Sequence, residues 1–181
     1  MNVESIILLV IIVAGGIAVL GSYFLGLRGA SGGSAALWGG VPKRIRPVYV
    51  VSMLLSAIGF LAVLYFLFFE VDPKEIAIGG QPGFTLLYPI FVLMLAPSAL
   101  WMPLTKIYVQ SPKTGLWIAV RLVLLVVGLA SIALVWALFA LEPAGSSVAR
   151  WFAVVGSIYF AFHTFVLDAL LWTALFRRPT E

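Results

Sequence analysis

Apolar residues dominate five long runs of this chain, and short polar breaks separate them. The runs cover residues 5–27, 47–69, 84–109, 115–141 and 147–176. A helix needs about 20 predominantly apolar residues to span the hydrocarbon core of a bilayer, and each run is long enough. The pattern therefore predicts an all-α membrane protein: a five-transmembrane-helix bundle forming a single domain over 1–181. A long connector, 28–46, is rich in Gly, Ser and Ala and carries basic residues, Trp38, Pro42 and Pro47. An acidic loop with Glu70, Asp72, Lys74 and Glu75 leads into Gly79-Gly80-Gln81-Pro82-Gly83. Gln110 to Lys113 form a polar turn, Glu142-Pro143-Ala144-Gly145 form another, and Arg177-Arg178-Pro179-Thr180-Glu181 end the chain.

Composition agrees with the pattern. The 181 residues are 63% hydrophobic and 10% charged, with mean hydropathy +1.15. Soluble domains are roughly 45–50% apolar and about 25% charged, so lipid is the expected solvent. The first run follows Met1-Asn2-Val3-Glu4, which has no positive side chain, and it extends past the length of a signal-peptide core. It is expected to be a retained helix. With no cysteine, disulfides, thiolate metal sites, iron–sulfur clusters and cysteine nucleophiles are excluded. The net charge of +4 sits beside apolar spans, which suits anionic lipid headgroups and argues against nucleic acid.

The charges also predict an orientation. Five crossings put the long connector, the third loop and the C-terminus on one side. Of the 11 Lys and Arg, nine fall there: Arg28, Lys43, Arg44, Arg46, Lys106, Lys113, Arg121, Arg177 and Arg178. Only Lys74 and Arg150 fall on the other side. The positive-inside rule then predicts an N-terminus outside and a C-terminus on the cytoplasmic side.

Polar or helix-breaking residues inside the spans are costly in lipid, so they are the informative ones. The third helix holds Pro89, Pro97 and Pro103, read as a packing kink or as a bend that opens a cavity. In the first helix, Ala14 and Ala18 have small-xxx-small spacing, read as internal packing with a dimer contact as the alternative. The fifth helix holds His163 and Asp168. Asp168 lies roughly 13 Å before Arg177, and Arg121 lies about six residues into the fourth helix from the same side. The similar depths predict a structural Arg121–Asp168 ion pair, or a polar floor for a ligand pocket. His163 is read as a hydrogen-bonded side chain, the alternative being axial ligation of a haem or chlorophyll-type macrocycle. No enzyme motif emerges: there is no meaningful Ser-His-Asp spacing, no paired carboxylates, no HExxH and no phosphate loop. The chain is expected not to be an enzyme, and no metal site is expected.

Trp38-Gly39-Gly40-Val41-Pro42-Lys43-Arg44-Ile45-Arg46-Pro47, Ser98-Ala99-Leu100-Trp101-Met102-Pro103, Leu167-Asp168 and the basic-Pro ending Arg177-Arg178-Pro179 together resemble the translocator protein family. That family is also called tryptophan-rich sensory protein or peripheral benzodiazepine receptor. Ser98 stands where the family has Asn, Asp168 stands where it has Asn, and the second connector Trp is absent. The resemblance implies a five-helix bundle, often dimeric, binding a tetrapyrrole, sterol or other lipid in a pocket beneath the first connector. It implies Trp38 in the lid, Tyr49, Ser98, Trp101 and Trp117 along the walls, and His163, Thr164, Leu167 and Asp168 on the fifth helix. The expected partners are membrane lipid, a hydrophobic small molecule, and a second copy or a larger membrane complex. The alternative function is a non-catalytic accessory subunit of a respiratory or photosynthetic complex. An enzyme or transporter acting on lipid or pigment would have only Arg121, His163 and Asp168 for its chemistry.

Overall fold

A computed structural model describes residues 2–28, 38–143 and 147–176. The Gly/Ser/Ala-rich part of the connector, the centre of the last turn and the basic-Pro tail lie outside the described residues. Five helices are long and apolar enough to cross a membrane: α1 (Val3–Arg28), α2 (Arg46–Tyr65, extended by a π-helical turn over Phe66–Glu70), α3 (Leu87–Gln110), α4 (Thr114–Phe139) and α5 (Val148–Leu175). Their outer faces carry Leu20, Leu54, Leu61, Leu129 and Phe152, all exposed. So much outward apolar side chain is stable in lipid and not in water. The all-α five-helix bundle expected from the hydrophobic pattern is the fold observed.

The helix ends show where local chemistry overrides hydropathy. α1 begins where the Asn2 side chain accepts the Ser5 N–H at 2.9 Å, and α5 begins where Ser147 Oγ accepts the Arg150 N–H at 3.1 Å. α3 starts at Leu87, three residues later than expected, because the Phe84 N–H is taken by the Glu4 carboxylate at 2.8 Å. The Leu87 N–H then closes a turn onto the Phe84 carbonyl. α4 stops at Phe139, two residues early, because Leu141–Glu142 pairs as a strand. The strands β1 (Ala77–Ile78), β2 (Gln81–Pro82) and β3 (Leu141–Glu142) form a small antiparallel sheet in the order β2-β1-β3.

Around the bundle, α1 packs on α3, α3 on α4, α4 on α5 and α5 on α2, while α1 and α2 share no extended contact. The ring is therefore open along an α1/α2 seam. The α2/α5 crossing is a backbone contact: a Cβ on Gly59 would lie 2.5 Å from the Gly156 carbonyl oxygen. On α1 the close approach uses Gly15 against Leu95 and Gly26 against Met102. Ala14 and Ala18 are exposed, so the expected internal packing falls on a neighbouring face.

Two clusters fill the interior. One, with Leu8, Leu67, Phe84, Phe91, Leu134 and Val154, lies toward the sheet. The other, with Val41, Tyr49, Tyr108, Trp117, Trp172 and Phe176, lies at the opposite end beneath Trp38. The first end carries Glu4, Glu70, Asp72, Glu75 and Glu142 and the second Lys43, Arg44, Arg46 and Lys113; they are the acidic and basic ends below.

Candidate functional site at the basic end

The lower part of α5 is a π-helix from Phe162 to Trp172. In an α-helix, residues five apart point about 140° away from each other. A π-helix hydrogen-bonds i to i+5, so residues five apart share a face. His163 and Asp168 are five apart, and the His163 Nε2 lies 3.5 Å from the Asp168 Oδ2. π-Helical turns are rare in proteins and, where they interrupt α-helices, are frequent at functional sites.

From His163 a polar chain runs into α2. Its Nδ1 lies 2.9 Å from Ser52 Oγ, and Tyr159 donates its hydroxyl to the same Ser52 oxygen at 3.1 Å. Because the Asp168 carboxylate faces Nε2, the consistent tautomer carries its proton on Nε2 and accepts the Ser52 hydroxyl on Nδ1. Both ring nitrogens thus face partners, which favours the hydrogen-bonded reading of His163 over axial ligation. Ser52 is buried and its proton is committed, so Ser52, His163 and Asp168 do not present an accessible nucleophile.

The carboxylate end is different. The Asp168 side chain is 32% exposed, against 7% for His163. Tyr23 on α1 and Tyr49 on α2 belong to the two helices that flank the open seam. Tyr49 donates to the Leu167 carbonyl at 3.1 Å and meets the Trp38 ring edge-on at 6.0 Å. Arg46 lies 5.5 Å from the centre of the Trp38 ring and donates to the Val41 carbonyl at 3.1 Å, which holds the end of the connector down. On the other side, the Trp101 ring lies 5.6 Å from Tyr23 and 5.5 Å from Trp172. Trp101 Nε1 and Thr105 Oγ1 are buried without a hydrogen-bond partner among the described residues. Four residues apart on α3, they lie on one face of that helix.

These contacts sort the residues predicted from sequence. Trp38, Tyr49 and Leu167 are joined by direct contacts, His163 meets Asp168 beside them, and Trp101 packs at the same end of the bundle against Tyr23 and Trp172. Thr164 does not join them: its hydroxyl is buried against Ser131 on α4 at 3.0 Å and bonds the Phe160 carbonyl. Ser98 donates to Met94 one turn back at 2.7 Å, so its proton is spent within α3. Trp117, on α4, packs behind Trp172 and stacks on Phe176 at 5.2 Å, at the end of α5. The expected Arg121–Asp168 pair is not formed. Equal depth does not set the direction around a helix axis, and Asp168 points to His163 while Arg121 is exposed on the outer side of α4. Sequence reading missed Ser52, Tyr23 and Thr105. A signal for Ser52 existed: Ser52, Ser56, Gly59 and Val63 form a buried stripe at helical spacing in α2.

Such an arrangement can bind. It offers aromatic faces for a flat or ring-bearing ligand, an indole N–H and a hydroxyl without partners, and one carboxylate to accept a hydrogen bond or meet a positive group. Searches against protein-family models, curated proteins and solved structures found no match to this chain.

Proposed function

We propose that this protein is a translocator-like membrane protein that binds a hydrophobic ligand, of the tetrapyrrole, sterol or other lipid class, in the bundle beneath its first connector. The observation that carries the reading is a part-exposed Asp168 carboxylate at the same aromatic end of the bundle as the unpartnered indole N–H of Trp101. Polar groups within a membrane bundle are costly unless something answers them, and a ligand bound at that end would meet both. Trp38 and Tyr49 would close over it. The N-terminus would lie outside and the C-terminus in the cytoplasm, because the positive charges gather at the connector end.

Titrating detergent-purified protein with protoporphyrin IX while following tryptophan fluorescence tests the reading. Saturable quenching is expected, with Kd about tenfold weaker in Trp101→Phe and in Trp38→Ala, the equivalent of about 1.4 kcal/mol. Absence of saturable quenching with porphyrin and with a fluorescent sterol alike, or affinities unchanged in both variants, would reject it.

A further inference from the structure

Between α4 and α5 lies a groove of about 340 Å³ lined by Trp117, Arg121, Ala169, Leu170, Thr173 and Phe176, with Asp168 not among its walls. We propose that this groove binds an anionic glycerophospholipid, with Arg121 on the phosphodiester. This site is separate from the bundle pocket and does not depend on it.

Arg121 lies seven residues beyond Thr114, the first residue of α4, about 10 Å into the helix. It is exposed, and among the described residues it makes no ion pair or hydrogen bond. A lone cation at that depth is expensive in hydrocarbon. Two features reduce the cost. α4 enters from the basic end, and helical side chains lean toward the N-terminus of their own helix, so the guanidinium reaches back toward the headgroup layer. The groove then lets an anion approach from the lipid side. Thr173 donates its hydroxyl proton to the Ala169 carbonyl at 2.6 Å, which leaves Arg121 as the charged donor of the groove.

The occupant follows from what lies beneath the charge. Leu125, Leu129, Ile132 and Trp136 continue the Arg121 face of α4 at helical spacing and are all exposed. From Arg121 to Trp136 the stripe is roughly 22 Å long, comparable to an acyl chain. A phosphate ion would use the guanidinium alone, and a zwitterionic lipid would bring its own cation to the same place. An anionic phospholipid matches both the charge and the stripe. Basic pockets between transmembrane helices bind such headgroups elsewhere by the same physics.

Native mass spectrometry of the detergent-purified full chain supplies the test, with dioleoylphosphatidylglycerol and dioleoylphosphatidylcholine as probes. One tightly held phosphatidylglycerol is expected, with phosphatidylcholine bound at least about tenfold more weakly. Arg121→Gln should lower phosphatidylglycerol occupancy about tenfold, Arg121→Lys should restore part of it, and Lys113→Gln should change it less than about twofold. In the wild-type chain, phosphatidylglycerol should protect Arg121 from phenylglyoxal, read by peptide mapping; this needs no variant to fold. Saturating protoporphyrin IX should leave the lipid in place. Equal retention of the two lipids, undiminished binding in a folded Arg121→Gln, or no protection in the wild type would overturn the proposal. Equal protection by millimolar inorganic phosphate would reassign the groove to free anions.

Discussion

The two ends of the bundle treat their polar groups in opposite ways. At the acidic end they are consumed inside the protein. The Glu4 carboxylate holds the Phe84 N–H, Tyr88 donates to the Glu4 carbonyl, and Arg150 donates to the Leu138 and Leu141 carbonyls where α4 terminates. Three two-residue strands absorb further backbone groups. At the basic end the polarity is left over: Trp101 and Thr105 lack partners among the described residues, Asp168 is part-exposed, and Arg121 faces outward. Hydrogen bonds satisfied internally make a clamp, whereas unanswered groups beside aromatic walls make a receptor. The contrast separates the end that holds the helices in register from the end at which ligand binding is proposed.

The strongest way to break this contrast is at Gly83. Its φ is +62°, and a Cβ there would collide with the Glu4 carboxylate. Gly83→Val should cost about 3 kcal/mol or more, measured by denaturant titration in micelles, with porphyrin affinity unchanged in the folded fraction. Glu4→Ala should cost about 1–3 kcal/mol by stranding the Phe84 N–H, again without touching the ligand. At the other end the pattern should invert. Asp168→Asn should weaken porphyrin binding by about tenfold while shifting stability by less than about 1 kcal/mol; a stability loss rivalling that of Gly83→Val would show that both ends are structural. The smallest effect distinguishes by its sign. Thr105→Val removes a buried hydroxyl with no partner and keeps the shape, so it should stabilise the chain by up to about 1 kcal/mol. A loss of similar size would mean that the hydroxyl is answered in the bilayer.

Much of this was readable one segment at a time. Each run of apolar residues became a helix because length and hydropathy alone decide whether a segment can cross a bilayer. Trp38, Trp101 and Asp168 stood out because aromatic and charged side chains in such runs are rare. Harder to read were facts that depend on rotation about a helix axis or on a partner far along the chain. Arg121 and Asp168 share a depth but face different ways. Thr164 sits one residue from His163 yet turns to Ser131. Ser52 meets His163 at a separation of 111 positions, and no local pattern announces that distance. The strand pairing of Ala77–Ile78 with Leu141–Glu142 is equally silent, since two-residue strands carry no periodicity.

What the amino-acid order by itself determined is the solvent and the number of crossings, with the positive charges gathered on one face. These follow from transfer free energies that add along a single helix. Which side chains converge was decided only in three dimensions. A π-helical segment places His163 over Asp168, a glycine crossing brings α2 against α5, and the Asp168 carboxylate is left part-exposed. Those outcomes depend on the packing of one helix against another, because the cost of a buried polar group is set by whichever neighbour arrives to meet it.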